Sequence, residues 1–248
     1  MGGCGGRGHR GPVKGMSMIV LGIETAGPLG SVALLRSGHP VRELTFGASR
    51  RLGAELAPTI QDLLEAEGLG PTTPPDLVVV DTGPGSYTGL RIGLAAAKGL
   101  AFAWGRPLVG VPTSDALGAQ ACEGQRATRV LCALDAARGE IYASLYECVG
   151  ESLRLIEPGA LFAPQALSER LKSPTLVVGD AASSLANKER GIVASELTWP
   201  TASRVALVGQ QRYMAGARDN ALDMCPIYYR PNEAEEQRRK RNMKRKQG

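Results

Sequence analysis

The stretch Asp76-Leu-Val-Val-Val-Asp-Thr-Gly-Pro-Gly-Ser-Tyr-Thr-Gly-Leu-Arg-Ile-Gly93 decides how this chain is read. Asp76–Val80 is a short aliphatic run, the pattern of a strand buried on both faces of a sheet. Leu90–Trp104 predicts a helix, stopped by Gly105-Arg106-Pro107. Between strand and helix lies a glycine-rich turn. Such a turn presents backbone N–H groups and the positive end of a helix dipole, and both favour an anion. Gly83, Gly85, Ser86 and Thr88 are therefore the candidate contacts to a phosphate or nucleotide. The turn is not a P-loop, because no Gly-Lys-Ser/Thr follows, and Thr88 stands where a dinucleotide fingerprint needs its third glycine. A plainer alternative stands beside the anion reading: Pro84 and the glycines set the dihedrals, and Ser86 or Thr88 caps the helix.

Working outward, Met18–Ile23 and Ser31–Leu35 are aliphatic runs around Thr-Ala-Gly-Pro-Leu-Gly, which predicts a hairpin with a looser loop. Val41–Phe46 adds a third strand. Leu52, Leu56, Ile60, Leu63 and Leu64 recur at helical spacing within Leu52–Glu67, a helix kinked by Pro58. Leu108–Val111 is a further strand. The second half partly repeats the plan. Val130–Leu134 and Ile141–Tyr146 form a hairpin around Asp135-Ala-Ala-Arg-Gly-Glu140, a short helix follows Pro164, Thr175–Val178 is a strand, and Ala202–Gly216 is a helix. The pattern predicts a duplicated α/β architecture. Its parts are an N-terminal extension at 1–17, an α/β lobe at 18–112, a second at 113–237, and a basic tail at 238–248. The two ends are expected to be disordered.

A chain of 248 residues with 43% hydrophobic and 21% charged residues is an ordinary globular protein. Its net charge of +5 is concentrated at the ends. Residues 238–246 hold seven of the 29 basic residues, and Arg7, Arg10 and Lys14 hold three more, which leaves 19 basic against 24 acidic residues elsewhere. Such a basic run reads as a solvated tail or a contact to RNA or another polyanion. Aromatic residues make up only 4%, which argues against a nucleic-acid surface built on stacked rings. Five cysteines with no Cys-x-x-Cys pair point to reduced thiols in a cytoplasm, with Cys132 and Cys148 as small core residues. No apolar stretch is long enough to span a bilayer, and no signal-peptide core is present.

Glu24 and Thr25 end the first strand, where a carboxylate can hold a metal-bound water near a phosphate. With no acidic partner evident in the sequence, a polar turn residue is the simpler reading. Asp135 is placed to close an Asx turn. The two histidines are His9 and His39, and neither His-x-x-x-His nor Gly-x-Ser-x-Gly occurs. A histidine-based metal site or a serine triad is thus not provided for. Gly93, Ala96, Ala97 and Gly99 leave the helix at 90–104 with little bulk, which suits close approach by another helix.

Five segments in order carry a family resemblance: Ile23-Glu-Thr-Ala with Ser31-Val-Ala-Leu-Leu, Gly83-Pro-Gly-Ser-Tyr-Thr-Gly-Leu-Arg-Ile-Gly, Leu108-Val-Gly-Val-Pro-Thr-Ser, Asp135-Ala-Ala-Arg-Gly-Glu-Ile-Tyr and Pro226-Ile-Tyr-Tyr-Arg. From about residue 18 to about 235 the chain resembles the TsaB family of bacterial tRNA threonylcarbamoyladenosine synthesis. The resemblance implies the two-lobed actin/Hsp70/sugar-kinase fold. It also implies a non-catalytic subunit, related to the catalytic subunit TsaD but without its metal site. The stretch from Ser49 to Pro58, where TsaD carries His-x-x-x-His, has no histidine. The implied partners are TsaD and the ATPase TsaE, with a homodimer as a further state of the isolated chain, and tRNA is reached through the complex or the basic tail. No tightly bound cofactor is expected, with ATP or ADP at the partner interface. The resemblance places that interface on the helices at 52–67 and 90–104, with Leu56, Ile60, Gly93, Ala96, Ala97 and Leu100 as contacts. One departure is Glu24, where this fold commonly has Asp. A stand-alone ATP-dependent phosphotransferase and a metalloprotease are the competing readings, the second disfavoured by the missing histidines.

Overall fold

Glycines and aliphatic runs act first at the level of strand pairing. In the computed structural model, which describes residues 18–48, 51–123, 128–150 and 152–229, β1 (Ile19–Glu24) runs antiparallel to β2 (Leu29–Arg36), in the register Ile19↔Arg36 to Glu24↔Ser31. β3 (His39–Ala48) continues the meander. After α1 (Leu52–Ala66), β4 (Leu77–Gly83) pairs parallel with β1, Ile23 opposite Val80. α2 (Tyr87–Trp104) then leads to β5 (Leu108–Pro112), giving a sheet of order β3-β2-β1-β4-β5. After α3 (Thr113–Cys122) the plan recurs. β6 (Arg129–Asp135), β7 (Ile141–Val149) and β8 (Ser152–Phe162) form a meander, α4 (Pro164–Arg170) follows, and β9 (Thr175–Val178) and β10 (Ile192–Ala194) complete the order β10-β9-β6-β7-β8. Read from the meander inward, the two sheets have the same order and the same pairing senses, so the duplicated architecture is present. The extension at 1–17 and the tail at 238–248 lie outside the described residues.

Strands apolar on both faces need a layer on each side. Leu21, Ile23, Val78 and Val80 face one way and pack with Leu56, Ile60 and Leu63 of α1 and Leu94 and Ala97 of α2. Val20, Leu77 and Val79 face the other way and are covered by Ala202, Val205, Ala206 and Tyr213 of α5 (Ala202–Met214). The chain therefore returns to the first lobe. The expected second lobe at 113–237 is corrected accordingly, since α5 closes the first sheet. The contact is close: a Cβ on Gly22 would lie 2.5 Å from the Ala202 carbonyl oxygen. Any side chain there must push α5 off the sheet, at a cost of about 1–3 kcal/mol.

Other differences have local causes. α2 begins at Tyr87 rather than Leu90, because Ser86 caps it by accepting from the Gly89 N–H at 3.2 Å. α3 has no clear polar face, since Ala116 packs on the first lobe and Leu117 and Ala121 on the second. α1 runs continuously through Pro58, which lies on its exposed side. Cys122 and Cys148 are joined by a disulfide across a Cα–Cα distance of 5.7 Å, so the expectation of reduced thiols throughout is corrected. Cys132 is a buried free thiol, as expected of a small core residue, whereas Cys148 is only half-buried.

Candidate functional site: the interlobe cleft and the outer helix face

β1 ends on Glu24, and β4 carries Asp81 third from its end, both at the carboxyl edge of the sheet, the edge at which open α/β sheets place ligands. Strand alternation turns Glu24 and Asp81 to the same side, and the parallel register sets them beside each other. Glu24 is 2% exposed and Asp81 is fully buried. Sequence reading missed this second acid for Glu24. Its signal was that each aliphatic run closes on a carboxylate. Glu24 Oε1 accepts from the N–H groups of Ala26 (2.7 Å) and Gly27 (2.9 Å). Asp81 Oδ1 accepts from the Gly83 N–H and the Thr113 hydroxyl, both at 2.7 Å. Asp81 Oδ2 is buried with no hydrogen-bond partner among the described residues. Burial, and then the charge of Asp81, hold the Glu24 carboxyl well above the usual range. Burial also carries Asp81 up to about 7.

Next to this pair a cleft of about 540 Å³ opens between the lobes. Gly85, Ser86 and Thr88 line one wall, and Asp135, Asp180, Trp199 and Tyr229 line the other. Asp135 closes the expected Asx turn by accepting from the Ala137 N–H at 2.8 Å. Its own N–H donates to Asp180 Oδ1, and burial raises the Asp180 carboxyl. Burial, then the charge of Asp180, holds the Tyr229 hydroxyl in its neutral form.

A nucleotide phosphate needs free backbone N–H groups at the two turns. The Ala26 and Gly27 N–H groups are spent on Glu24. The Ser86 N–H donates to the Ala26 carbonyl at 2.8 Å, and the Gly89 N–H to Ser86 Oγ. Gly83 does not line the cleft, and its N–H is held by Asp81. Trp199 packs on Gly27. Of the phosphate contacts expected from sequence, Gly83 and Ser86 thus have their N–H groups engaged within the fold, and Gly85, Ser86 and Thr88 line the cleft. No three His, Cys, Asp or Glu side chains converge as a metal ligand set among the described residues.

The expected interface residues divide by burial. Leu56, Ile60, Gly93 and Ala97 lie in the core of the first lobe and cannot present side chains to a partner. Gly93 is small because Thr25 of the β1 end abuts it, not because a second helix does. Ala96 and Leu100 are half-buried against the same core. The outward face is made by their neighbours: Ala54, Ala57 and Pro58 on α1, and Ala95, Gly99 and Phe102 on α2. Phe102 is 90% exposed. α1 and α2 are adjacent, with Gly53 against Ile92, while Phe102 lines a hollow of about 660 Å³ with Lys98, Arg106 and Leu222. No described helix is long and apolar enough to cross a membrane.

Comparison with known proteins gives a consistent set of similarities. Residues 47–217 match the family described as TsaD, tRNA N6-adenosine threonylcarbamoyltransferase. The chain is 31% identical over 225 residues to the tRNA threonylcarbamoyladenosine biosynthesis protein TsaB of Escherichia coli (strain K12), covering 88% of this chain and 96% of that one. It is 29% identical over 229 residues to the protein of the same description from Haemophilus influenzae, covering 86% and 94%. The solved structure of YeaZ from Pseudomonas aeruginosa matches with a TM-score of 0.73 at 26% identity, over 85% of this chain and 99% of that one.

Proposed function

The chain belongs to the TsaB family of tRNA threonylcarbamoyladenosine biosynthesis proteins, and on that premise we propose that it is a non-catalytic, activating subunit that docks a TsaD subunit through the outer faces of α1 and α2. The observation that carries this reading is the Ala/Gly/Pro surface of the two helices with Phe102 standing out from it. Small residues let a partner's helices approach closely, and a single aromatic supplies the anchor. In the assembly TsaD performs threonylcarbamoyl transfer to the adenosine beside the tRNA anticodon, TsaE is the third component, and the work is done in the cytoplasm. The same face accounts for a homodimer when TsaD is absent.

The cleft supports the non-catalytic part. A phosphotransferase needs nucleotide loops and a positioned base that reaches substrate. Here Glu24 binds the loop's own N–H groups and Asp81 is buried. The isolated chain accordingly holds no nucleotide tightly, and ATP or ADP belongs at the interface with the partner.

The test is binding of purified TsaD by Ala95→Trp and Phe102→Asp variants. Both positions are exposed, so stability should stay within about 0.5 kcal/mol of the parent. Bulk or charge in a tight contact costs about 1–3 kcal/mol, and each 1.4 kcal/mol is about tenfold in affinity. Folded variants that bind TsaD with unchanged affinity would place the interface elsewhere.

A further inference from the structure

Two of the five cysteines, all expected from the sequence to be reduced thiols, are joined in the fold. Where they are joined gives the bond a role beyond bracing. Cys122 is the last residue of α3 and is 5% exposed. Cys148 stands next to last in β7 and is half-buried, the more exposed of the two.

α3 lies between the lobes and is held at both ends. In its first turn the Thr113 hydroxyl donates to Asp81 Oδ1 of β4 at 2.7 Å, and the Tyr146 hydroxyl of β7 donates to Asp115 Oδ1 at 2.8 Å. Its last turn is tied to the first lobe through α5. Gln120 Oε1 accepts from the Thr201 N–H at 3.1 Å, and Glu123 pairs with Arg204. Thr201 is the N-cap of α5, its side chain accepting from the Arg204 N–H. The same turn is tied to the second sheet by the covalent bond to Cys148, next to Gly118, which faces Leu153 and Tyr146. Residues 120–123 therefore clasp the start of α5 to the end of β7. Two residues before Thr201 stands Trp199, which packs on Gly27 of the β1–β2 turn and lines the interlobe cleft. The disulfide, the clasp, the start of α5 and the wall of the cleft form one chain of contacts.

A disulfide in a reducing compartment is characteristically transient, and one with an accessible sulfur exchanges most readily. We propose that the Cys122–Cys148 bond opens and closes by exchange with a low-molecular-weight thiol, and that its state sets how firmly α3 joins the lobes and how tightly Trp199 is held at the cleft. The inference rests on the cytoplasmic placement proposed above and is independent of docking. A thiolate attacks Sγ of Cys148, a mixed disulfide forms there, and the Cys122 sulfur leaves and takes up a proton. A second thiolate attacks the small-molecule sulfur of the mixed disulfide and releases Cys148, which is protonated in turn. Two small thiols become one small disulfide, and the protein disulfide becomes two thiols. The reverse sequence restores the bond.

The test begins by equilibrating the full chain in glutathione buffers of varied ratio and scoring alkylation of Cys122 and Cys148 by mass spectrometry. The bond should pass reversibly from closed to open within the cytosolic range of ratios. Amide hydrogen exchange is then compared between the oxidised and the reduced parent. Reduction should speed exchange at residues 201–206 and in the last turn of α3 by at least about threefold, while β1 and β4 keep their protection. The chain has two tryptophans, so a Trp104→Phe variant isolates Trp199, whose fluorescence acrylamide should quench more strongly after reduction. Cys148→Ser should behave as the reduced parent under both conditions. A bond that stays closed across the cytosolic ratios would overturn the proposal, since the crosslink would then be permanent. So would a bond that opens with exchange at 201–206 unchanged. The exchange measurement uses the parent chain, so it stands even if Trp104→Phe does not fold. The buffer fixes the redox ratio and no assay contains TsaD, so neither the compartment nor the docking reading is at stake in the result.

Discussion

Replacing Asp81 by Asn should make the protein more stable at alkaline pH and leave it nearly unchanged in acid. Asp81 has no exposed surface, and burial lifts its carboxyl from 3.8 to about 7. An acid whose pKa is higher in the folded chain holds its proton more tightly there. The stability this gives is complete below the unfolded pKa and is lost as pH rises through the folded one. A rise of about three units corresponds to about 4 kcal/mol lost between about pH 4 and pH 7. Asn keeps an oxygen to accept from the Gly83 N–H and the Thr113 hydroxyl and cannot ionise. At about pH 4.5 the parent Asp81 is itself neutral, so the variant should differ there by about 1 kcal/mol or less. Near pH 8 it should be more stable by up to about 4 kcal/mol, a shift of about 1–2 M in the urea midpoint. Glu24 should also titrate lower, because the charge of Asp81 contributes to its rise. Urea unfolding of both proteins across this pH range gives a difference curve in which the other carboxylates cancel except for the coupled Glu24. A variant less stable than the parent by a constant amount at every pH would refute the reasoning, since Asp81 would then be a stabilising, ionised group.

Three further outcomes are expected. Cys122→Ser should destabilise the chain by about 3–4 kcal/mol under oxidising conditions, as expected for a crosslink closing a loop of 26 residues, and dithiothreitol should abolish the difference between parent and variant in thermal melts. Gly93→Val should lower the melting temperature strongly, because the new side chain meets Thr25 at the β1 end and overpacking costs about 1–3 kcal/mol or more. Equilibrium dialysis of the isolated chain should show no tight ATP binding, and elemental analysis after chelator washing no stoichiometric zinc or iron. One equivalent of either ligand would reopen the catalytic reading.

Periodicity showed where the core is, and Leu56 and Ile60, offered by the resemblance as interface contacts, belong to it. Leu56 and Ile60 repeat at helical spacing because they are buried, whereas the outward residues Ala57, Pro58 and Ala95 carry no repeat to notice. The glycine-rich turn was visible in the sequence, but the commitment of its Gly83, Ser86 and Gly89 N–H groups to Asp81, the Ala26 carbonyl and the Ser86 hydroxyl is a matter of geometry. Glu24 and Asp81 are far apart in sequence and meet only through parallel pairing of β1 with β4. α3 escaped because a helix wedged between two cores has no polar face. β8 escaped because it is an edge strand with Arg154 and Glu157 on a mostly exposed run. The return of α5 to the first sheet follows from both-face burial of β1 and β4, a requirement readable in Val20–Ile23 and Leu77–Val80, but nothing in the sequence says which later helix meets it.

Reconstituted threonylcarbamoyl transfer tests the central claim most directly. TsaD, TsaE, unmodified tRNA and threonylcarbamoyl adenylate are combined with the parent chain, with Phe102→Asp, or with no addition. The parent should stimulate transfer, and Phe102→Asp should stimulate no better than buffer while keeping the parent's circular dichroism spectrum and melting temperature. Full stimulation by Phe102→Asp, together with undiminished stimulation by Ala95→Trp, would contradict docking through the outer face of α1 and α2.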